Sequence, residues 1–108
     1  MSSSADLVTT TEPPQLRDPA VALICVDRGV RRLALFGSRL RGTHGPDSDI
    51  DLLVEFEPGR APGLLALSAF EIELGRILGH KVDLRTPQDL SRHFRDEVLR
   101  SARTVYAA

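Results

Sequence analysis

Asp49 and Asp51 stand two residues apart in a strand-like run from Asp49 to Phe56, sharing one face with Leu53 and Glu55. Side chains two apart on a strand leave the same face, so these carboxylates lie roughly 6–7 Å apart along the chain. Two carboxylates that close repel each other unless a cation sits between them. Magnesium is a hard ion that takes one or two carboxylates and fills its shell with substrate phosphates. The pair therefore reads as a metal platform. Ile50, Leu52, Val54 and Phe56 occupy the other face, where packing would lock the pair in place.

Taken alone, an Asp-x-Asp pair would equally be the wet face of a half-exposed strand, which is how Glu55 is read. Glycosyltransferases use such a pair too. The preceding segment narrows the choice. Phe36 closes a short β-type run from Arg31, and Gly37-Ser38 opens a tight turn that Gly42 ends. Glycine lets backbone approach a phosphate closely. Amides at a helix start attract anions, and the Ser38 hydroxyl can donate to a phosphate oxygen. Arg39 and Arg41 stand beside the turn, placed either to clamp phosphates or to make surface ion pairs. The segment is not a P-loop, since it lacks the Gly-Lys-Ser/Thr ending. Turn and carboxylates together predict a magnesium–nucleotide site.

The elements that must hold these residues follow from periodicity. Residues 1–17 are rich in Ser, Thr and Pro and predict a flexible tail. Asp18-Pro19 reads as a helix cap, and Ala20 to Val26 as a buried helix ended by Gly29. His44 to Ser48 reads as a loop. Leu64 to Leu78 has helical period, with Leu67, Phe70, Leu74 and Ile77 on one stripe. Lys81 to Arg85 is a short strand: Val82 and Leu84 face one way, Asp83 and Arg85 the other. Leu90 to Tyr106 predicts a last helix, with Phe94, Val98, Ala102 and Val105 on its apolar side. This α-β-α-β-α-β-α order, its second helix only a turn, predicts an α/β (α+β) domain. It would be a small mixed sheet with helices packed on one face and the acidic residues on the more open face.

Bulk composition excludes some functions. A net charge of −1 over 108 residues gives no broad field for nucleic acid or an anionic membrane. Cys25, the only cysteine, rules out an internal disulfide and reads as a buried, inert thiol. No apolar signal-peptide core follows Met1, and no apolar stretch is long enough to span a bilayer. A soluble, cytoplasmic protein is expected. His44, His80 and His93 have no metal-ligand spacing, and Tyr106 is read as packing at a helix end.

Gly37-Ser38, ten residues, then Asp49-Ile50-Asp51 has the spacing of the DNA polymerase β-type nucleotidyltransferase superfamily. The fuller stretches Leu35 to Gly42 and Ser48 to Val54 resemble its minimal nucleotidyltransferase (MNT) branch. Val82-Asp83-Leu84 matches the place of the superfamily's third carboxylate. The resemblance runs from about Asp18 to the C-terminus; Leu40, where the branch more often has Ala, is a small departure. It implies a polymerase β-like domain over 18–108 and transfer of AMP from ATP to an acceptor hydroxyl. Asp49, Asp51 and Asp83 would be the catalytic carboxylates, holding two Mg²⁺ ions. Gly37 and Ser38, with Arg39 and Arg41, would bind the nucleotide.

Larger relatives carry a second domain over the nucleotide, so a chain of this size is expected to need a partner wall. MNT chains of this size resemble antitoxins that act beside HEPN-type ribonuclease toxins and adenylylate a toxin tyrosine. That implies a hetero-oligomer with such a toxin. Two alternatives remain from the sequence: a non-catalytic antitoxin that works by binding, and a transferase acting on an aminoglycoside-like alcohol.

Overall fold

The computed structural model describes residues 13–42, 45 and 48–108; the side chains of Pro14, Ser38 and Arg41 lie outside the described part. The elements are α1 (Pro19–Asp27), β1 (Val30–Phe36), α2 (Ser38–Arg41), β2 (Ile50–Phe56), α3 (Leu64–Leu78), β3 (Val82–Arg85), α4 (Arg92–Ser101) and β4 (Arg103–Ala107). Short 3-10 turns occupy Pro14–Arg17 and Pro87–Asp89. Among the described residues, no helix is long and apolar enough to cross a membrane.

Local chemistry explains the helix limits. Asp18 Oδ1 accepts from the Ala20 amide at 2.9 Å, and Pro19 pre-sets the first turn of α1. Although α1 is apolar nearly all round, only Val21 and Cys25 are buried, while Leu23 and Val26 are exposed. Helix α3 stops at Gly79, whose φ of +70° suits a residue without a β-carbon, and its amide reaches Gly75 O at 2.8 Å.

The sheet runs β3-β2-β1-β4; β1 is antiparallel to both neighbours and β2 is parallel to β3. On one face Leu33, Leu35, Ile50, Leu52, Val54, Val82 and Leu84 pack against Val21 and Cys25 of α1 and Phe70, Leu74 and Leu78 of α3. The expected mixed sheet, with helices on one face, is thus built by α1 and α3. Phe56 meets Phe70 edge-on, with centroids 6.4 Å apart, and the Arg28 guanidinium lies 5.4 Å from the Phe70 ring centre.

The C-terminal region departs from its expected form. The last helix ends at Ser101 rather than Tyr106, and Arg103–Ala107 forms β4 against β1. Thr104, Val105 and Tyr106 are β-branched or aromatic, and an unpaired edge of β1 lay open to them. Tyr106 therefore packs from a strand, not a helix end. Helix α4 is tied to β1 by Arg32. Its guanidinium donates to the carbonyls of Leu99 at 3.3 Å and Ala102 at 3.2 Å, at the helix end where carbonyls lack partners.

Within the expected tail of residues 1–17, Pro14–Arg17 form a 3-10 turn and Leu16 is 1% exposed and belongs to the core. Residues 1–12 lie outside the described residues, as do His44, Pro46 and Asp47 of the expected loop. On the β3 edge the outward Leu84 amide donates to Glu71 of α3 at 2.7 Å. A side chain thereby occupies a backbone donor that could otherwise pair with another strand.

Candidate active site

The register aligns the chemistry. Phe36 of β1 is the partner of Asp51 on β2, and Asp51 is the partner of Asp83 on β3. Paired residues share a face, so Phe36, Asp51 and Asp83 form one row across three strands. Adjacent strands hold Asp51 and Asp83 only about 5 Å apart at their backbones. Both carboxylates line a cavity of about 220 Å³ with Phe36, Arg85, Leu90 and Phe94.

The Gly37 bend lies directly on this row. Gly37 has φ +79°, and a β-carbon added there would stand 2.2 Å from Asp51 Oδ2. Only a residue without a side chain fits. The expected closeness of bend and carboxylate is therefore met at Gly37 and Asp51. Helix α2 begins at the next residue, Ser38. The side chains of Ser38 and Arg41 lie outside the described part.

Asp49 sits one residue before β2 and is half-buried, and it does not line the cavity shared by Asp51 and Asp83. Arg39 is 6% exposed and donates to the Ser48 carbonyl at 3.0 Å, immediately before Asp49. It braces the approach to β2 from inside.

The sequence reading gave Arg85 no role. Its Nε donates to Asp83 Oδ1 at 3.0 Å and its Nη2 to Asp83 Oδ2 at 3.2 Å. Those hydrogen bonds to Asp83 push the Arg85 pKa further above its ordinary value, with the charges of Asp83, Asp89 and Asp51 adding to the effect. The signal was present as Asp83-x-Arg85 on one strand face. Phe36 and Phe94 were also missed as site residues. They line both this cavity and a neighbouring one of about 350 Å³ that includes Gly37, Leu40 and Val98. Cys25 is fully buried, and desolvation pushes its thiol up to about 12, so the inert reading holds.

Can these residues hold a divalent cation? Among the described residues, no three His, Cys, Asp or Glu side chains form a metal cluster of their own. A pair suffices for magnesium, which completes its shell with water and phosphate oxygens. Asp51 and Asp83, register partners on neighbouring strands and partly exposed, fit that requirement.

Residues 20–105, which carry this whole arrangement, match the family described as the nucleotidyltransferase domain. The chain belongs to that family. It is a nucleotidyltransferase and an enzyme. The protein adenylyltransferase MntA of Thermococcus cleftensis is 42% identical to it over 72 residues, 67% of this chain and 71% of the relative. A solved structure described as a minimal nucleotidyltransferase is 39% identical with a TM-score of 0.69, over 86% of this chain and 93% of that one. A structure of the tri-AMPylated Shewanella oneidensis HEPN toxin in complex with MNT antitoxin shares the fold. There the TM-score is 0.62 at 20% identity, over 87% of this chain and 72% of that one.

Proposed function

We propose that this nucleotidyltransferase moves AMP from ATP to a tyrosine hydroxyl of a HEPN-type toxin and thereby silences it. The observation that carries the reading is the row Phe36–Asp51–Asp83 with the Gly37 bend against Asp51. The relative named as a protein adenylyltransferase and the fold shared with an antitoxin bound to an AMPylated HEPN toxin support it.

In this reading Asp51 and Asp83, with Asp49 at the start of the same strand, would hold Mg²⁺, which would supply charge neutralisation at the attacked phosphate and the leaving pyrophosphate. Gly37 allows the triphosphate to approach the backbone next to Asp51, where Ser38 and its neighbouring amides meet the outer phosphates. In this reading Arg41 would clamp the phosphates, while Arg39 braces the segment before Asp49. The apolar walls Phe36, Leu40 and Phe94 take the base. The tyrosine oxygen forms a bond to the α-phosphorus, the bond to pyrophosphate breaks, and the phenolic proton passes to the Asp83 carboxylate or to solvent. The cavity beside Asp51 and Asp83 opens to solvent, so the toxin supplies the missing wall and excludes water.

The test is incubation of the chain with ATP, Mg²⁺ and the co-encoded toxin, followed by mass spectrometry of the toxin. AMP on a toxin tyrosine, absent with Asp49→Ala/Asp51→Ala, is expected. If that double variant still protects cells with no AMP on the toxin, neutralisation works by binding alone. AMP on a small alcohol but never on protein would assign the acceptor to that class instead.

A further inference from the structure

Asp51 and Asp83 are register partners on neighbouring strands, so each adds to the negative potential at the other. In this fold the charge nearest Asp83 is the Arg85 guanidinium, which engages both oxygens of Asp83, at 3.0 and 3.2 Å. A cation that ligates Asp83 and a two-pronged guanidinium need the same oxygens. Both side chains are partly exposed, 46% for Arg85 and 34% for Asp83, so the arginine has room to leave. It has somewhere to stay as well. Asp89, whose carboxylate is held by the Thr86 amide at 3.0 Å and hydroxyl at 3.1 Å, lines the same cavity.

We propose that Arg85 is an exchangeable counter-ion of the site: it holds Asp83 until a divalent cation displaces it, and the released guanidinium then grips the nucleotide's phosphates. This rests on the reading of Asp83 as a cation ligand given above. Arg85 is charged at any working pH, planar and forked, which suits carboxylate and phosphate oxygens equally. The exchange makes cation and triphosphate binding mutually supportive. Cation arrival frees the phosphate ligand, and phosphate contact keeps the arginine off Asp83.

Titration of the full chain with Mn²⁺, read by electron paramagnetic resonance without nucleotide or partner, tests the first half. Arg85→Gln should bind Mn²⁺ roughly two- to fivefold more tightly, the range expected for release from an exposed ion pair. The gain should vanish in an Asp83→Asn background, because the effect acts through Asp83 and not through net charge. The second half calls for the opposite sign: Arg85→Gln should bind Mg·ATP more weakly in calorimetry. Arg85→Lys, which keeps the charge and loses the fork, should recover only part of that affinity. Unchanged or weaker Mn²⁺ binding by Arg85→Gln overturns the proposal. So does an equal gain with Asp83→Asn. A chain that shows the Mn²⁺ exchange but transfers no AMP would contradict the adenylyltransferase reading alone.

Discussion

One step along each strand separates two rows of opposite character. Leu35, Leu52 and Leu84 are register partners on the core face, and Phe36, Asp51 and Asp83 are register partners on the other. The leucines are 0%, 0% and 6% exposed, whereas each member of the second row is partly open. Burial fixes the first row, and the pleat carries that precision to the second. A site built this way needs no large fold: its carboxylates are held by the residues behind them.

The carboxylate row can be perturbed from the buried side. Leu52→Ala removes packing between the two aspartate-bearing strands and should destabilise the domain by about 2–5 kcal/mol, measured as a lower urea midpoint with an unchanged slope. Gly37→Ala attacks the junction of the two rows. It forces a side chain into a φ of +79° and onto Asp51. A stability cost of about 1–2 kcal/mol is expected, with turnover falling on the order of 100-fold through displacement of the carboxylate.

Cys25 gives the mildest test of how dry the core face is. Its folded pKa of about 12 lies above the ordinary 9.0, so the fold favours the neutral thiol. The associated stability is fully present below pH 9.0 and is lost as pH rises toward about 12. Between those limits wild type should lose up to about 1.4 kcal/mol per pH unit relative to Cys25→Ala, read from paired urea midpoints. Parallel curves for the two proteins would mean the thiol is not desolvated.

The alternation from Asp49 to Phe56 made the two faces of β2 legible in the sequence, and Gly37 marked the bend because only glycine suits its φ. Other features were not legible. The spacing of Phe94, Val98, Ala102 and Val105 satisfies a helix, yet pairing with β1 is non-local and claims Val105 for a strand. Leu16 lies in a Pro-rich stretch without periodicity, and a single anchored side chain leaves no pattern to read. Arg85 looked like any exposed strand arginine until its fork was seen on Asp83. Which of Asp49, Asp51 and Asp83 share a cavity also depends on where β2 begins, a boundary that alternation alone does not fix.

In the proposed function Asp51 and Asp83 act as one cation platform for AMP transfer. The most direct measurement is a double-mutant cycle on the rate of toxin adenylylation with Asp51→Asn, Asp83→Asn and both together. Each single change should slow transfer on the order of 100- to 1,000-fold, and the double variant should be scarcely slower than either, as for groups that work as a unit. Losses that multiply, or an Asp83→Asn enzyme as fast as wild type, would contradict it.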